Sequence, residues 1–560
     1  MNEKEEGGKN MYQIDSEHKI LIPNVKNRKI ENNNFSFENI ACAGTSNATA
    51  FACTYLNIFY ENIASAANIE DANMYLELDE SLKNGAYYLL IDQKILIKYS
   101  NTQGIRNALA TLLQLIEILS NKNYSIQSQE IYDFPDCDYR SVLIDLARGL
   151  PDFERLKEDI RRLSLVKCSY IHLHLMDMIG ICYESRVFKM IEDIRGTKLY
   201  TKNMLKELVA YCQSLGIELI PEFEIPAHAY CLTHVNEKVA CKTQNENQSP
   251  QVVCAGSEET YKFFAELIDE FIEIFPSQYL HMGGDELYFD DFPDWNYYPN
   301  WENCEICKKV MAEKQLNSVQ ELYYYVVFRI YEIVKSKGKT LIIFNDQLDV
   351  SKPLPFPKDM IVQFWRVSDK NRGPRTGCSY KKFLEQGYHV ICSPFEYCYI
   401  DIEEYTNPEK TMWFNLYNYQ ECSKYKDLIL GGEACAWEYG NPEYVHYNFS
   451  FTSSAALLLA KMWDTRNVVY NRAYRTAFSR LILGHFIPND YDIFELFGSI
   501  MPPRLNDKVS YASLDNALLD EELLEKHIAA LRSIPYTYSN IYLQGLHNLI
   551  NKFTTKKEQT

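Results

Sequence analysis

Short apolar runs alternate with amphipathic segments of helical length through the middle of the chain, from Pro135 onward. Apolar runs separated by helix-length segments are typical of buried parallel strands, each followed by a helix. The pattern predicts eight strands, at 140–147, 170–177, 218–222, 279–282, 340–344, 360–364, 389–392 and 428–430. Eight strand-then-helix units predict an α/β fold of the (β/α)8 TIM-barrel type.

The intervals between these strands predict helices, at 153–165, 203–215, 261–275 and 319–335. Gly216 and Gly338 follow two of these segments. Glycine is the residue that most often ends a helix, so both positions support the assignment.

Ahead of the barrel the pattern predicts strands at 74–78, 87–92 and 94–99 and a helix at 101–119. Asp92 and Gln93 separate the last two apolar runs, which suits a hairpin turn. Apolar residues recur at helical spacing within 101–119, so one face of this helix should lie on the sheet. A small α/β domain is therefore expected before the barrel.

The last part of the chain, 488–560, is predicted to be a helical extension with a polar, frayed end. The expected domain boundaries are therefore 1–132 for the N-terminal α/β domain, 133–487 for the barrel and 488–560 for the extension.

Composition narrows the class of protein. The chain has 560 residues, of which 46% are hydrophobic and 24% charged, as in globular domains. Lys plus Arg number 57 against 76 Asp plus Glu, a net charge of -19, so nucleic acid is not expected as a partner.

No run approaches the ~18 apolar residues of a membrane helix, and no secretory signal follows the charged N-terminus. A cytoplasmic protein without a membrane partner is expected.

The chain has 16 cysteines, which in a reducing compartment should be mostly free buried thiols. Cys304 and Cys307 stand out because they are spaced CxxC. Together with Cys241 and Cys254 they could hold zinc, but one CxxC without an equally spaced mate leaves both interpretations open.

Polar residues gather at the predicted strand ends, and in such barrels the active site forms at the carboxyl ends of the strands. So many on one face favour a pocket over separate helix caps or ion pairs. In strand order they are Arg140, Asp145 and Arg148; His172, His174 and Asp177; Glu222, Glu224 and His228; Asp285 and Glu286; Asp346; Trp365; Tyr399 and Asp401; and Glu433, Trp437 and Glu438.

The segment HMGGDE, at 281–286, carries the most specific pattern. Two glycines after a strand allow a tight bend, so the adjacent side chains of Asp285 and Glu286 can enter one pocket. Paired carboxylates beside aromatic residues are typical of glycoside hydrolysis. Because these two carboxylates are neighbours in sequence, they are expected to act on two different atoms of the same substrate. One of those atoms could belong to the acetamido group of an N-acetyl sugar.

The chain resembles the glycoside hydrolase family 20 β-N-acetylhexosaminidases over roughly three-quarters of its length. HMGGDEL is similar to that family's HxGGDE, and DYRSVLIDLAR resembles its first-strand motif ending in Asp-x-x-Arg. SYIHLHLMD is similar to its HWHLxD, and IELIPEFEIPAH to its IPEFDxPGH. YID and GGEACAW resemble its YLD and GGEACxW. The six motifs stand in the family's order.

The resemblance implies an exo-acting hydrolase that removes terminal β-linked N-acetylhexosamine from glycans or glycosides through an oxazolinium intermediate, without a cofactor. It implies that Glu286 is the general acid and base and that Asp285 orients the acetamido group, whose oxygen is also held by Tyr399. The other implied roles are sugar binding by Arg140, Asp401, Trp437, Trp365 and Glu438, and support of Glu286 by His228 and Asp177.

Two other functions are consistent with the residues. His172 and His174, at i and i+2, share a strand face and could ligate zinc with His228, His281 or Asp285 in a metal-dependent barrel hydrolase. That histidine pair lies on the second strand, whereas such hydrolases usually carry it on the first. The other alternative is a catalytically silent sugar-binding protein, although it would not need Asp285, Glu286 and Tyr399.

Overall fold

The computed structural model describes residues 19–60, 63–66, 69–118, 123–190, 192–193, 196–241, 251–287, 300–345, 347–365, 380–400, 422–440, 448–466 and 471–483. Within them the chain forms an N-terminal sheet with two helices, followed by a closed barrel of parallel strands. The predicted extension at 488–560, Asp346 and Asp401 lie outside the described residues.

The N-terminal sheet is mixed, and its strands run in the order β1-β8-β5-β6-β4-β2-β3, with β7 paired to β8. The strands are β1 (Asn27–Phe37), β2 (Ile40–Ala43), β3 (Ile63–Ser65), β4 (Met74–Leu78), β5 (Tyr87–Ile91), β6 (Ile95–Tyr99), β7 (Glu117–Ile118) and β8 (Tyr124–Asp133). The predicted hairpin is present, because β5 and β6 pair antiparallel and the amide of Asp92 donates to Lys94 O at 3.1 Å.

Two helices accompany this sheet, α1 (Ser46–Asn57) and α2 (Thr102–Leu115). The side chain of Asn101 caps α2 by accepting from the amide of Gly104 at 2.9 Å. The apolar face of α2 lies on β5 and β6, as its spacing predicts. The helix is shorter than predicted, because Ile116 takes extended geometry and leads into β7.

The barrel strands are all parallel, and pairing of the last strand with the first closes the cylinder. The strands from here on are β9 (Tyr139–Asp145), β10 (Tyr170–His174), β11 (Met176–Asp177), β12 (Gly180–Ile181), β13 (Glu218–Glu222), β14 (Tyr279–His281), β15 (Thr340–Phe344), β16 (Ile361–Phe364), β17 (His389–Cys392), β18 (Tyr399–Ile400) and β19 (Ile429–Ala436). Of these, β11, β12 and β18 are short additions outside the eight-stranded barrel. The predicted TIM barrel is thereby confirmed.

Helices follow the barrel strands. They are α3 (Phe153–Leu165), α4 (Lys202–Ser214), α5 (Tyr230–Val235), α6 (Glu258–Ile274), α7 (Glu305–Lys314), α8 (Val319–Ser336), α9 (Lys381–Glu385), α10 (Phe395–Cys398), α11 (Asn448–Trp463) and α12 (Arg472–Leu483). Short 3-10 turns occupy Ile69–Asp71, Asn300–Asn303 and Cys422–Leu428. No helix among the described residues is both long and apolar enough to cross a bilayer.

The barrel interior is filled in layers, because alternate side chains of each strand point inward. An apolar layer of Tyr139, Ile220, Ile342, Ile361 and Ile391 lies toward the strand starts. An aromatic-rich layer that includes Phe344 and Trp365 lies toward the strand ends. The residues between them are polar: His172, Glu222, His281, Gln363 and Glu433 are all buried.

The two domains meet at a buried ion pair. Lys167 Nζ, which precedes β10, lies 3.0 Å from Asp133 Oδ2 at the end of β8, and neither side chain is exposed. Burial lowers the pKa of Lys167 to about 8 although Asp133 acts in the opposite direction. The same carboxylate oxygen accepts from the Tyr87 hydroxyl at 3.1 Å and from the Trp463 indole at 3.0 Å. Asp133 therefore joins the sheet, the barrel and α11 at one point.

Asp133→Ala should lower the free energy of unfolding by about 3–5 kcal/mol, because it leaves the buried Lys167 ammonium without its carboxylate. Glu259→Ala removes the exposed Glu259–Lys262 pair, at 2.7 Å, and should have a far smaller effect because solvent screens these charges. Urea unfolding of both variants measures the difference. A cost for Asp133→Ala no larger than that of Glu259→Ala would contradict this account of the domain contact.

Candidate active site

The Gly-Gly turn after β14 presents two carboxylates at the carboxyl end of the barrel. Gly283 and Gly284 have φ of +64° and +87°. A Cβ on Gly283 would lie 1.9 Å from Glu224 Oε2, so a residue with a side chain does not fit at this position. The turn is fixed by the Tyr323 hydroxyl, which donates to Gly284 O at 2.8 Å. The backbone therefore needs both glycines in order to set Asp285 and Glu286 at the pocket.

His228, from the connection after β13, contacts both carboxylates. Its Nε2 lies 3.4 Å from Glu286 Oε2 and 3.7 Å from Asp285 Oδ2. The ring is buried, and the Asp285 and Glu286 side chains are only 11% and 15% exposed. The two neighbouring carboxylates thus share one pocket, as the double-glycine turn predicts.

Backbone strain is concentrated at this site. His228, Glu286 and Glu438 have φ of 52°, 51° and 52°, in the left-handed region that side chains with a Cβ avoid. Each such residue costs of order 1–3 kcal/mol and persists only where its surroundings impose it. Three strained residues at one end of the barrel are typical of a functional site.

A second layer of charges supports His228. Its Nδ1 lies 3.4 Å from Asp177 Oδ2, and Arg148 Nη2 lies 2.7 Å from the same oxygen. Burial alone would lower the pKa of His228, but the negative charge of Asp177 outweighs it and raises that pKa well above its usual value. Burial opposes ionisation of Asp177 as well, yet the charges of Arg148 and His228 hold its pKa well below the usual range. The neighbouring carboxylate of Asp177 therefore favours the protonated form of His228.

Aromatic rings form one side of the pocket. Trp365 stacks on Tyr399 with ring centroids 5.8 Å apart and planes 13° from parallel. The ring of Trp437 lies 5.8 Å from that of Tyr399, and the Arg148 guanidinium lies 5.2 Å from the Trp437 ring. The structure therefore brings Trp365, Tyr399 and Trp437 together, linked through Arg148 to the carboxylate side.

Arg140 does not belong to this site, which corrects the expectation that it binds the sugar. It lies at the start of β9, fully buried at the opposite end of the barrel. Its guanidinium donates to Cys137 O at 2.6 Å and to Lys167 O at 2.9 Å. The arginine at the pocket is Arg148, beyond the end of the same strand, and the Asp-x-x-Arg motif contained the signal for it.

The backbone of Glu438 and the side chain of Arg148 both contact the carboxylate of Asp145. The amide of Glu438 donates to Asp145 Oδ2 at 2.9 Å, and that carboxylate also binds Arg148 Nη1 at 3.1 Å. The 401 position, the other carboxylate expected to bind hydroxyls, is not among the described residues.

The histidines that suggested a metal-dependent hydrolase lie deeper in the barrel. His174 uses both ring nitrogens, at 2.7 Å from Glu222 Oε2 and 3.0 Å from Asp177 Oδ2. His172 Nδ1 lies 2.9 Å from Glu433 Oε1, and His281 Nδ1 lies 2.8 Å from Glu222 Oε1. Although the ligand atoms of His172, Glu222 and His281 are close enough to hold an ion, the carboxylates already engage these rings.

Comparison with known families agrees with this geometry. Residues 137–451 match the catalytic domain of glycosyl hydrolase family 20, and residues 18–134 match domain 2 of the same family. The chain belongs to glycosyl hydrolase family 20.

Individual family-20 relatives are distant. The beta-hexosaminidase of Vibrio furnissii is 27% identical over 391 residues, covering 65% of this chain and 60% of that protein. The mouse beta-hexosaminidase subunit beta is 26% identical over 365 residues, covering 63% of this chain and 64% of that one. The chain thus spans less than two thirds of the length of these curated relatives.

A solved structure shows the same fold. An exo β-N-acetylglucosaminidase from Vibrio harveyi, solved in complex with N-acetylglucosamine, superposes with a TM-score of 0.66 at 20% identity. The match covers 78% of this chain and 73% of that one.

One buried carboxyl in this family-20 site was expected at the strand ends but was assigned no role. Glu224 follows β13 and is 1% exposed, and neither of its oxygens has a hydrogen-bond partner among the described residues. Burial, then the charges of Asp285 and Glu222, raise its pKa well above the usual value. These effects favour the neutral form of Glu224, which lies directly beneath the Gly-Gly turn, although His174 Nδ1 is 3.6 Å from its Oε1.

Glu224 should make stability fall with rising pH. Below about pH 4.5 it is protonated in both states, and above that pH only the unfolded chain releases the proton. The neutral variant Glu224→Gln should therefore gain stability relative to wild type as pH rises, by up to about 1.4 kcal/mol per pH unit. Thermal unfolding between pH 4 and 8 measures this difference. Glu207→Gln, at an exposed position, is the control, and parallel curves for wild type and Glu224→Gln would refute the neutral state.

Proposed function

We propose that this family-20 chain is an exo-acting β-N-acetylhexosaminidase that removes terminal β-linked N-acetylhexosamine with retention of configuration. The proposal depends chiefly on one observation: neighbouring carboxylates, Asp285 and Glu286, lie within 3.7 Å of the same His228 nitrogen, at the end of a barrel with aromatic walls. Aromatic rings pack against sugar faces, and a carboxylate pair performs the acid–base chemistry.

The names of relatives support the same substrate class. The Vibrio furnissii and mouse proteins are beta-hexosaminidases, and the Vibrio harveyi enzyme holds N-acetylglucosamine. The substrate proposed here is accordingly the N-acetylhexosamine end of a glycan or glycoside.

Glu286 acts first as the general acid in this proposal. It gives its proton to the glycosidic oxygen while the carbonyl oxygen of the substrate's acetamido group attacks the anomeric carbon and the glycosidic bond breaks. Glu286 then takes a proton from a water molecule as that water attacks the anomeric carbon. This attack opens the oxazolinium ring and restores the acetamido group. His228 fixes the position of Glu286 through its 3.4 Å contact.

In this proposal Asp285 acts on the acetamido group of the substrate. Its carboxylate accepts from the acetamido N–H, presses the group against the anomeric carbon and stabilises the positive charge that develops on nitrogen. Tyr399, on the aromatic wall, donates to the acetamido oxygen. Two side chains thus hold the internal nucleophile that a conventional retaining glycosidase supplies from its own carboxylate.

The sugar ring is held by the remaining residues of the pocket. Trp437 and Trp365 line the sugar face, and Arg148 takes the hydroxyl-binding role first assigned to Arg140, because its guanidinium lies beside Trp437. Asp401 and Glu438 remain the proposed carboxylates for outer hydroxyls.

The experiment that tests the function compares two aryl β-glycosides that differ only at C2, acetamido against hydroxyl. Substrate assistance requires the acetamido oxygen, so only the acetamido substrate should turn over at an enzymatic rate. Equal turnover of both substrates would contradict the mechanism, and no turnover of either would favour the silent sugar-binding alternative.

Glu286→Gln should lower kcat/KM about 10²–10⁴-fold on glycosides with poor leaving groups, because the departing oxygen then lacks its proton donor. The loss should be much smaller on activated aryl glycosides, whose leaving group needs no proton. Steady-state kinetics on the two substrate classes measures this, with Glu266→Gln at an exposed helical position as the control. An equal loss on both classes would exclude the acid role.

Asp285→Asn should lower kcat on the order of 10²-fold or more with a smaller change in KM, because the lost charge acts mainly in the transition state. A cyclic thiazoline that mimics the oxazolinium should inhibit the wild type competitively and bind the variant much more weakly. Thermal unfolding of the variant is the control for folding. If Asp285 only braced the glycine turn, Asn would keep much of kcat, or the loss would follow unfolding.

A further inference from the structure

Four cysteines from separate parts of the barrel chain converge outside the pocket. Their ligand atoms all lie within 4.8 Å of one another. Cys254, Cys304 and Cys307 are fully buried, and Cys241 is half-buried. Sγ of Cys254 lies 3.7 Å from that of Cys304 and 3.6 Å from that of Cys307, and Sγ of Cys241 lies 4.0 Å from that of Cys307. These four residues are the thiol cluster.

The spacing of the thiol cluster matches a tetrahedral metal site. Zinc binds thiolate sulfur at about 2.3 Å, so the edges of a Cys₄ tetrahedron are about 3.8 Å long. Three of the Sγ–Sγ distances in the thiol cluster, 3.6, 3.7 and 4.0 Å, fall around this value. They are nearly twice the ~2.05 Å of a disulfide bond, so the arrangement does not correspond to two disulfides.

The backbone holds the thiol cluster in place. Cys304 is the N-cap of α7 and Cys307 lies in the first helical turn, so the helix dipole favours thiolates there. A Cβ on Gly256 would come within 2.8 Å of Cys307 N, which places the loop after Cys254 directly against the CxxC. A β-bridge between Ala240 and Val253 brings Cys241 next to Cys254.

Barrel topology brings the four thiols together. Cys241 and Cys254 lie between β13 and α6, whereas Cys304 and Cys307 lie between β14 and α8. Because β13 pairs with β14, these two connections are neighbours at the carboxyl end of the barrel. The first connection carries His228 and the second carries Asp285 and Glu286.

We propose that the thiol cluster is a structural zinc site that ties these two connections together. Four protein ligands leave no position for water or substrate, so the ion takes no part in turnover. A divalent cation also neutralises thiolates that would otherwise repel one another when buried. The site stabilises the region that positions His228 against Glu286, and the proposal stands independently of the substrate.

The test uses the full chain, produced with zinc in the medium and purified under reducing conditions. Elemental analysis should find about one zinc per chain in the wild type, and less than about a tenth of that in Cys304→Ser and Cys307→Ser. Cys212→Ser, a buried cysteine of α4 outside the thiol cluster, is the matched control and should keep its zinc. Substoichiometric zinc in the wild type, or full zinc in both cluster variants, would overturn the proposal.

Two measurements on the wild type keep the test decisive if the serine variants fail to fold. Exchange of zinc for cobalt should give the intense visible absorption of tetrahedral cobalt thiolate, and zinc should protect four thiols from alkylation until a chelator is added. Removal of zinc should lower the unfolding temperature without changing kcat at temperatures where the protein stays folded. Disulfides found by mass spectrometry among these cysteines, or loss of kcat that only zinc restores in the folded protein, would refute a structural zinc site.

Discussion

The buried carboxylate of Glu222 is the central contact of the polar layer beneath the candidate active site. It contacts His172, His174 and His281 at 3.3, 2.7 and 2.8 Å. Burial disfavours its charge, yet the surrounding histidines hold its pKa well below the usual range. The carboxylates raise the pKa values of His172 and His174 to about 10 and about 9 against the effect of burial. Because Glu222 and Glu433 face two imidazolium rings, the layer stays close to neutral and can remain buried.

From this layer a continuous chain of contacts reaches Glu286, the proposed general acid. His174 bonds Asp177 at 3.0 Å, Asp177 meets His228 at 3.4 Å, and His228 meets Glu286 at 3.4 Å. The strained backbone of His228 and Glu286 is sustained because each side chain is held by a buried charge. The carboxylate side of the pocket is therefore held in place by contacts with the barrel interior. The aromatic residues form the other side of the pocket.

The barrel could be predicted from sequence because parallel strands buried on both faces appear as apolar runs, and β13, β15 and β17 begin and end at the predicted residues. The strands β1 and β8 were missed: β1 is mostly exposed, and β8, although mostly buried, has a sequence rich in polar residues, so neither is a clear apolar run. The sugar-binding role was assigned to the wrong arginine: Arg140 lies at the start of β9, whereas Arg148 lies beyond its end, at the other end of the barrel. Glu224 was expected at the strand ends, but its preference for the neutral form was not predicted, because that preference depends on burial and on neighbouring charges.

The thiol cluster shows how a single CxxC motif can gain two further cysteines as neighbours only in the folded chain. Cys304 and Cys307 have a recognisable spacing, but Cys241 and Cys254 have none, and only the pairing of β13 with β14 sets the two connections side by side. The same pairing brings His228 to Asp285 and Glu286. A zinc ion at the thiol cluster, as proposed, would therefore restrain Asp285, Glu286 and His228 from outside the pocket. The order of the barrel strands accounts both for the pocket and for the position of the thiol cluster beside it.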